Sequence, residues 1–162
     1  MDGSLIGAPF PIITAVDKQM DPSLAYNNTD NEYLVVYGNE LVGGLRDIAA
    51  QRINANDGSL KSWAKVATGT GENRDNPDVA YNPARNQYLI TYTKFPSPIN
   101  IRGKVALANL DGVSISPEIE LCCTGIAGAQ WGTQVATGPD EYLVTFEIGL
   151  FSGPIYGRRV RG

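Results

Sequence analysis

The sequence predicts an all-β chain, a β-propeller of four-stranded antiparallel blades with three blades to the chain. Three observations carry this. A unit of about 54 residues recurs three times in the 162-residue chain. Inside each unit, short apolar runs alternate with turn residues too closely for helices to fit between them. The chain also carries 18 Gly and 10 Pro, a composition suited to many short strands joined by tight turns. Hydrophobic residues make up 43%, the share of an ordinary globular core.

The elements follow in order within the unit. Strand a reads Pro22-Ser23-Leu24-Ala25-Tyr26-Asn27, then Pro77-Asp78-Val79-Ala80-Tyr81-Asn82. A degraded third copy is Thr133-Gln134-Val135-Ala136-Thr137-Gly138. Strand b reads Tyr33-Leu34-Val35-Val36-Tyr37, then Tyr88-Leu89-Ile90-Thr91-Tyr92, then Tyr142-Leu143-Val144-Thr145-Phe146. Residues 28–31 and 83–86 between a and b are turn formers. Strand c is Ile48-Ala49-Ala50-Gln51-Arg52-Ile53, Ile101-Arg102-Gly103-Lys104-Val105-Ala106 and Ile155-Tyr156-Gly157-Arg158-Arg159-Val160. An Asp-Gly turn follows at Asp57-Gly58, Asp111-Gly112 and, at the other end of the chain, Asp2-Gly3. Such a pair is a strong tight-hairpin signal, because Gly takes a positive φ without steric cost. Strand d then covers residues 63–68, 119–124 and 9–15. Short connections make each unit an antiparallel meander.

The phase of the repeat suggests an assembly. Arg159-Val160-Arg161-Gly162 read into Met1-Asp2-Gly3-Ser4-Leu5 aligns without a gap on Arg52 through Leu60. The single repeat domain, residues 1–162, is thus offset: strand d of one unit lies at 5–15 and strand c of the last at 153–161. Propellers use about four to eight blades. The expectation is a homodimer that closes a six-bladed ring by pairing strands at the chain termini. A β-trefoil, which also has three four-stranded repeats, is the alternative fold. An excised piece of a longer propeller is a third arrangement.

These motifs together resemble the blades of bacterial β-propeller repeat proteins, in which Pro-x-Val-Ala-Tyr-Asn, Tyr-Leu-Val-x-Tyr and Ile-x-Gly-x-x-Val recur around an Asp-Gly turn. The likeness covers essentially the whole chain and implies a fold rather than a task. The third unit departs most, with Thr133, Thr137 and Gly138 at the Pro, Tyr and Asn positions. Residues 54–63 are also similar to the Asp-box of sialidase-type propellers. They differ from it in the adjacency of Asp57 and Gly58 and in the spacing to Trp63.

Composition narrows the function. The chain has no His, which removes Ser-His-Asp and Cys-His machinery and most zinc sites. A net charge of −4 argues against a nucleic-acid partner, and the basic cluster Arg158, Arg159 and Arg161 reads as outward residues of a last strand. No apolar run reaches the length of a membrane span, and residues 1–4 do not read as a signal peptide, so a soluble chain of unassigned compartment is expected. The adjacent Cys122 and Cys123 read as small strand hydrophobes rather than a disulfide or metal pair. Neither a cofactor motif nor a metal motif is found.

The connections from strand d to strand a vary most between units, and variable loops on a rigid scaffold collect binding residues. Lys18 and Gln19, Arg74 and Asp75, and Gln130 and Trp131 are the candidate ligand-binding residues on this ground. Arg74 and Asp75 can hydrogen-bond a polar ligand, and Trp131 can stack on a sugar. The expected function is a non-catalytic binding module for a saccharide, peptide or protein. The alternatives are a glycosidase or sialidase-like hydrolase, using carboxylates and Tyr at the channel mouth, and spacer blades in a larger protein.

Overall fold

The structure is a computed structural model that describes residues 3–95, 99–108, 115–122, 128–149 and 153–161. The described residues form eleven strands in three separate antiparallel sheets. The first sheet runs β1 (Gln19–Asn27), β2 (Glu32–Glu40), β3 (Arg46–Asn54) and β4 (Leu60–Ala67), in that spatial order. The second runs β5 (Asn73–Asn82), β6 (Gln87–Phe95), β7 (Asn100–Leu107) and the short β8 (Ile119–Glu120). The third holds β9 (Gln130–Thr137), β10 (Glu141–Ile148) and β11 (Ile155–Arg161). Each sheet is one repeat unit, and within it every strand pairs with its sequence neighbour.

The local chemistry explains the turns. Asn27 Oδ1 accepts from the amides of Thr29 and Asp30 at 2.8 and 3.0 Å. Asn82 Oδ1 accepts from Ala84 N at 3.0 Å in the equivalent turn. Asn31 and Asn86 close these turns with φ of 49°, a left-handed conformation that Asn tolerates. After β3, Gly58 takes φ 73° and donates to Asn54 O at 2.9 Å. The Asp111-Gly112 and Asp2-Gly3 turns fall wholly or partly outside the described residues.

The sheets pack side by side. The first strands stand together at the centre, β1 beside β5 and β5 beside β9. Alternating residues fill two seams. The first buries Leu34, Val36, Ile48, Ala50, Val66 and Ala67 of the first sheet against Val79, Tyr81, Tyr88, Ile90 and Tyr92 of the second. The second packs Ala80, Leu89, Ile101, Leu121 and Cys122 against Tyr142, Val144, Phe146 and Ile148. Tyrosine hydroxyls pin both seams: Tyr81 Oη donates to Thr29 Oγ1 at 2.7 Å and Tyr142 Oη to Gln87 O at 3.0 Å. Three separate meanders replace the single capped barrel of a trefoil, which corrects that alternative.

Residues 5–15 differ from expectation: they are in no ladder. A strand needs a neighbour to hydrogen-bond, and β11, the strand whose fourth partner they match in sequence, lies in the third sheet. The segment instead runs along the outer flank of the first sheet, where Ile12 to Ala15 pass Tyr37, Gln51, Trp63 and Lys65. Among the described residues β11 pairs only with β10.

Candidate functional site

The central strands share an irregularity that the repeat alone does not announce. Each breaks register near its start: β1 between Met20 and Ser23, β5 between Asp75 and Asp78, and β9 opposite the step from Thr145 to Glu147. At each break one residue turns left-handed: Asp21 (φ 51°), Asn76 (φ 48°) and Gly132 (φ 58°). Pro22 and Pro77 follow the first two, placed where a missing N–H costs the ladder nothing. The three bulges gather around an open cleft of about 380 Å³. Asp21, Pro22 and Ser23 line it from β1, Asn76, Pro77 and Asp78 from β5, and Gly132, Thr133 and Gln134 from β9.

Asp78 ties the three central strands together. One carboxylate oxygen accepts from Ser23 Oγ, and the other from the amide of Val135 at 2.6 Å. Thr133 Oγ1 donates to Thr91 Oγ1 at 2.9 Å and fixes β9 to the second sheet. The cleft therefore presents hydroxyls, amides and carboxylates held by a rigid frame, with Gln134 Nε2 donating to Thr133 O at 3.0 Å.

A charged belt lies beside the cleft. Arg46 meets Asp75 at 2.5 Å. Burial pushes the Asp75 carboxyl above the ordinary range against the pull of Arg46, and the charges of Asp21 and Glu40 add to the rise. Glu72 accepts from Arg74 at 2.7 Å and from Lys94 at 3.0 Å. Lys94 also reaches Glu118 at 3.1 Å, and Tyr92 Oη donates to the same carboxylate at 2.7 Å. Burial alone would raise Glu118, but these donors and Arg102 outweigh it and hold the carboxyl below its usual value.

The six residues chosen from the loops stand at strand starts. Lys18 pairs with Glu40 at 3.0 Å at the surface. Gln19 donates to Asp17 O and lies 3.5 Å from Asn39 Oδ1. Arg74 and Asp75 are buried in the belt, 3% and 8% exposed. Gln130 is also buried: its Oε1 accepts from Cys122 Sγ at 2.7 Å and its Nε2 donates to Gly128 O at 2.8 Å. Trp131 packs edge-on against Phe95 with ring centres 4.9 Å apart. The structure thus brings Asp75 into the belt, next in sequence to the cleft residue Asn76, and sets Gln130 and Trp131 next to Gly132. The cleft residues themselves were missed, although Pro inside a strand pattern at 22 and 77 was the available signal for a bulge. Among the described residues no group of three or more His, Cys, Asp or Glu gathers to hold a metal, and no helix is long and apolar enough to cross a membrane.

No protein-family model and no curated protein matches the chain. Solved structures do. A Dyadobacter fermentans protein of unknown function aligns over 93% of this chain with 18% identity and a TM-score of 0.68. The catalytic domain of a Coprinopsis cinerea GH62 α-L-arabinofuranosidase aligns over 88% with 14% identity and a TM-score of 0.59. An endo-arabinase from Bacteroides thetaiotaomicron aligns over 93% with 14% identity and a TM-score of 0.58. The chain spans 40%, 46% and 58% of the lengths of these three. At such identities the likeness establishes a shared all-β fold.

Proposed function

We propose that this chain is a ligand-binding β-propeller module that takes a saccharide in its axial cleft and does not turn it over. The observation that carries the reading is the cleft itself. Asp21, Ser23, Asn76 and Gln134 offer a mixed set of donors and acceptors on backbone fixed by left-handed bulges. Polyhydroxylated ligands suit such a set, because each sugar hydroxyl both donates and accepts. The likeness to an arabinofuranosidase and an endo-arabinase supports a carbohydrate over a peptide.

Catalysis is the second reading, favoured by the presence of Asp21 and Asp78 in one cleft. A glycosidase needs two carboxyl groups free to act as acid and as base or nucleophile. Asp78 is engaged on both oxygens by Ser23 and Val135, and the third unit supplies Gln134 rather than a carboxylate. Binding without turnover follows.

Calorimetric titration with arabino-oligosaccharides and a wider glycan panel tests this. Binding that weakens about tenfold in Asp21→Asn and Gln134→Ala, with no release of reducing sugar, is the expected result. Reducing-sugar release lost in Asp21→Asn and Asp78→Asn would replace this reading with the hydrolase. No binding to any glycan would end both.

A further inference from the structure

The two outer flanks of the molecule carry the residues of its own inner seams. Leu24, Tyr26 and Tyr33 on the first sheet occupy the positions of Val79, Tyr81 and Tyr88 on the second. Val79, Tyr81 and Tyr88 are 5%, 6% and 0% exposed, packed against the first sheet, whereas Leu24, Tyr26 and Tyr33 are 62%, 47% and 39% exposed. The tilted tyrosine pair is present in both, at 5.2 Å for Tyr26–Tyr33 and 5.1 Å for Tyr81–Tyr88. Tyr81 Oη bridges Asn86 within its sheet and Thr29 on the preceding one, whereas Tyr26 Oη has the first kind of partner alone, Asn31 at 2.8 Å.

The opposite flank is complementary. Leu143 and Ile155 of the third sheet match Leu34 and Ile48 of the first and Leu89 and Ile101 of the second. The latter four are all 0% exposed, inside the seams. Leu143 is 48% and Ile155 74% exposed. One flank is therefore the leading half of a seam and the other the trailing half.

The N-terminal segment adds a third observation. In the inner seams Val66 and Ala67, and Leu121 and Cys122, come from or just beyond a fourth strand and pack on the next sheet. Ile12 matches Ala67 in the gapless alignment and, with Ile13, lies against the leading flank. A cavity of about 560 Å³ remains between residues 6–12 and Leu24, Tyr33, Val35 and Ile53. The segment sits where the outer strand of a preceding blade belongs, while β11 has a free edge lacking that strand.

We propose that a second copy of this chain completes both flanks: its Leu143–Ile155 flank covers Leu24, Tyr26 and Tyr33, and its β11 pairs with residues 9–15. The occupant is a second copy because both halves of the contact are on this molecule and repeat its internal seams. Two such contacts, related by a two-fold axis, close a ring of six sheets, within the range of closed propellers. Each copy then brings its own Asp21, Asp78 and Gln134 to a common axis.

Light scattering on the chain and a designed cross-link test this. The expected mass is twice 17.4 kDa. Tyr33→Asp and Leu143→Asp are each expected to weaken the dimer by more than about tenfold. Ile48 pairs with Ala67 in the first sheet, and Ile155 and Ile12 are their equivalents. The double variant Ile12→Cys/Ile155→Cys is therefore expected to form a disulfide-linked dimer under oxidation, a readout that does not require a disruptive substitution. A mass of 17.4 kDa at every concentration overturns the proposal. So does a dimer that neither flank variant weakens and the cysteine pair does not link.

Discussion

The first and third sheets contain the same ion pair in two environments. Arg52 grips Glu32 through Nε and Nη2 at 2.8 and 2.7 Å. Arg159 grips Glu141 at 2.7 Å in the same register. In the first sheet β4 lies over the pair and adds Lys61 at 2.9 Å, leaving the Glu32 side chain 0% exposed. In the third no fourth strand is present among the described residues, and the Glu141 and Arg159 side chains are 32% and 75% exposed. The same residues at the same spacing thus do different work according to whether an outer strand is present. Geometry alone does not rank the two pairs; burial does.

The largest expected effect breaks that comparison directly. Glu32→Ala leaves Arg52 and Lys61 without their shared buried carboxylate and should cost about 3 to 5 kcal/mol in denaturant unfolding. Glu141→Ala in the isolated chain should hardly move the midpoint, since solvent already screens its pair. Close behind comes the apolar counterpart. Leu34→Ala empties a fully buried position and should cost about 3 kcal/mol, whereas Leu143→Ala in a monomer should cost well under half of that. In a closed ring of two copies the two leucines become equivalent, so equal losses sharpen the comparison into evidence for closure.

Both seams should respond to alkali. Burial pushes the Tyr142 phenol from 10.0 up to about 12, and Tyr88 and Tyr92 rise further for the same reason. Across that window the folded chain keeps protons that the unfolded chain has lost. Stability should therefore fall as pH climbs from 10 through 12, and Tyr142→Phe should flatten the slope. Circular dichroism during alkaline titration measures both. On the acid side Glu118 has the opposite sign, and the stability it lends is present above its usual value of 4.5 and lost as pH falls below it.

The smallest effect compares two glycines. A methyl on Gly103 would approach Leu121 Cδ1 to 2.7 Å within the seam, and Gly103→Ala should cost about 1 kcal/mol as Leu121 is displaced. At the equivalent Gly157 the nearest atom, Leu143 Cδ1, stands at 3.5 Å, and Gly157→Ala should gain about 0.5 kcal/mol by stiffening the unfolded chain. Thermal unfolding of the pair distinguishes them.

Much of the fold was legible. The Tyr-Leu-aliphatic triplets mark β2, β6 and β10, and the recurring Ile-led runs mark β3, β7 and β11; packing enforces the pattern in all of these but β11, which is exposed along nearly its whole length and was legible from the repeat alone. The Asn-based turns were readable because Asn27 and Asn82 satisfy backbone amides locally. The bulges at Asp21, Asn76 and Gly132 were not read, because a one-residue register shift is a property of two strands and leaves little trace in one. The candidate site suffered from this. Arg74, Asp75, Gln130 and Trp131 were chosen as loop residues, but the central strands begin earlier than the apolar pattern does, which turns their side chains to partners inside the fold. The N-terminal segment reads as strand d by its likeness to residues 63–68, but the structure gives it no ladder, which depends on where β11 lies in space.

The open edge of β11 has one more consequence. An unpaired strand can add any strand, including another copy of itself. Arg158, Arg159 and Arg161 lie along this exposed edge. Two such edges meeting antiparallel would set Arg159 and Arg161 of both copies on one face and Arg158 of both on the other, and opposed like charges weaken such a ladder. The arginines thus reject the symmetrical edge-to-edge mistake while leaving the strand free to accept a neutral, apolar sequence such as Phe10-Pro11-Ile12-Ile13.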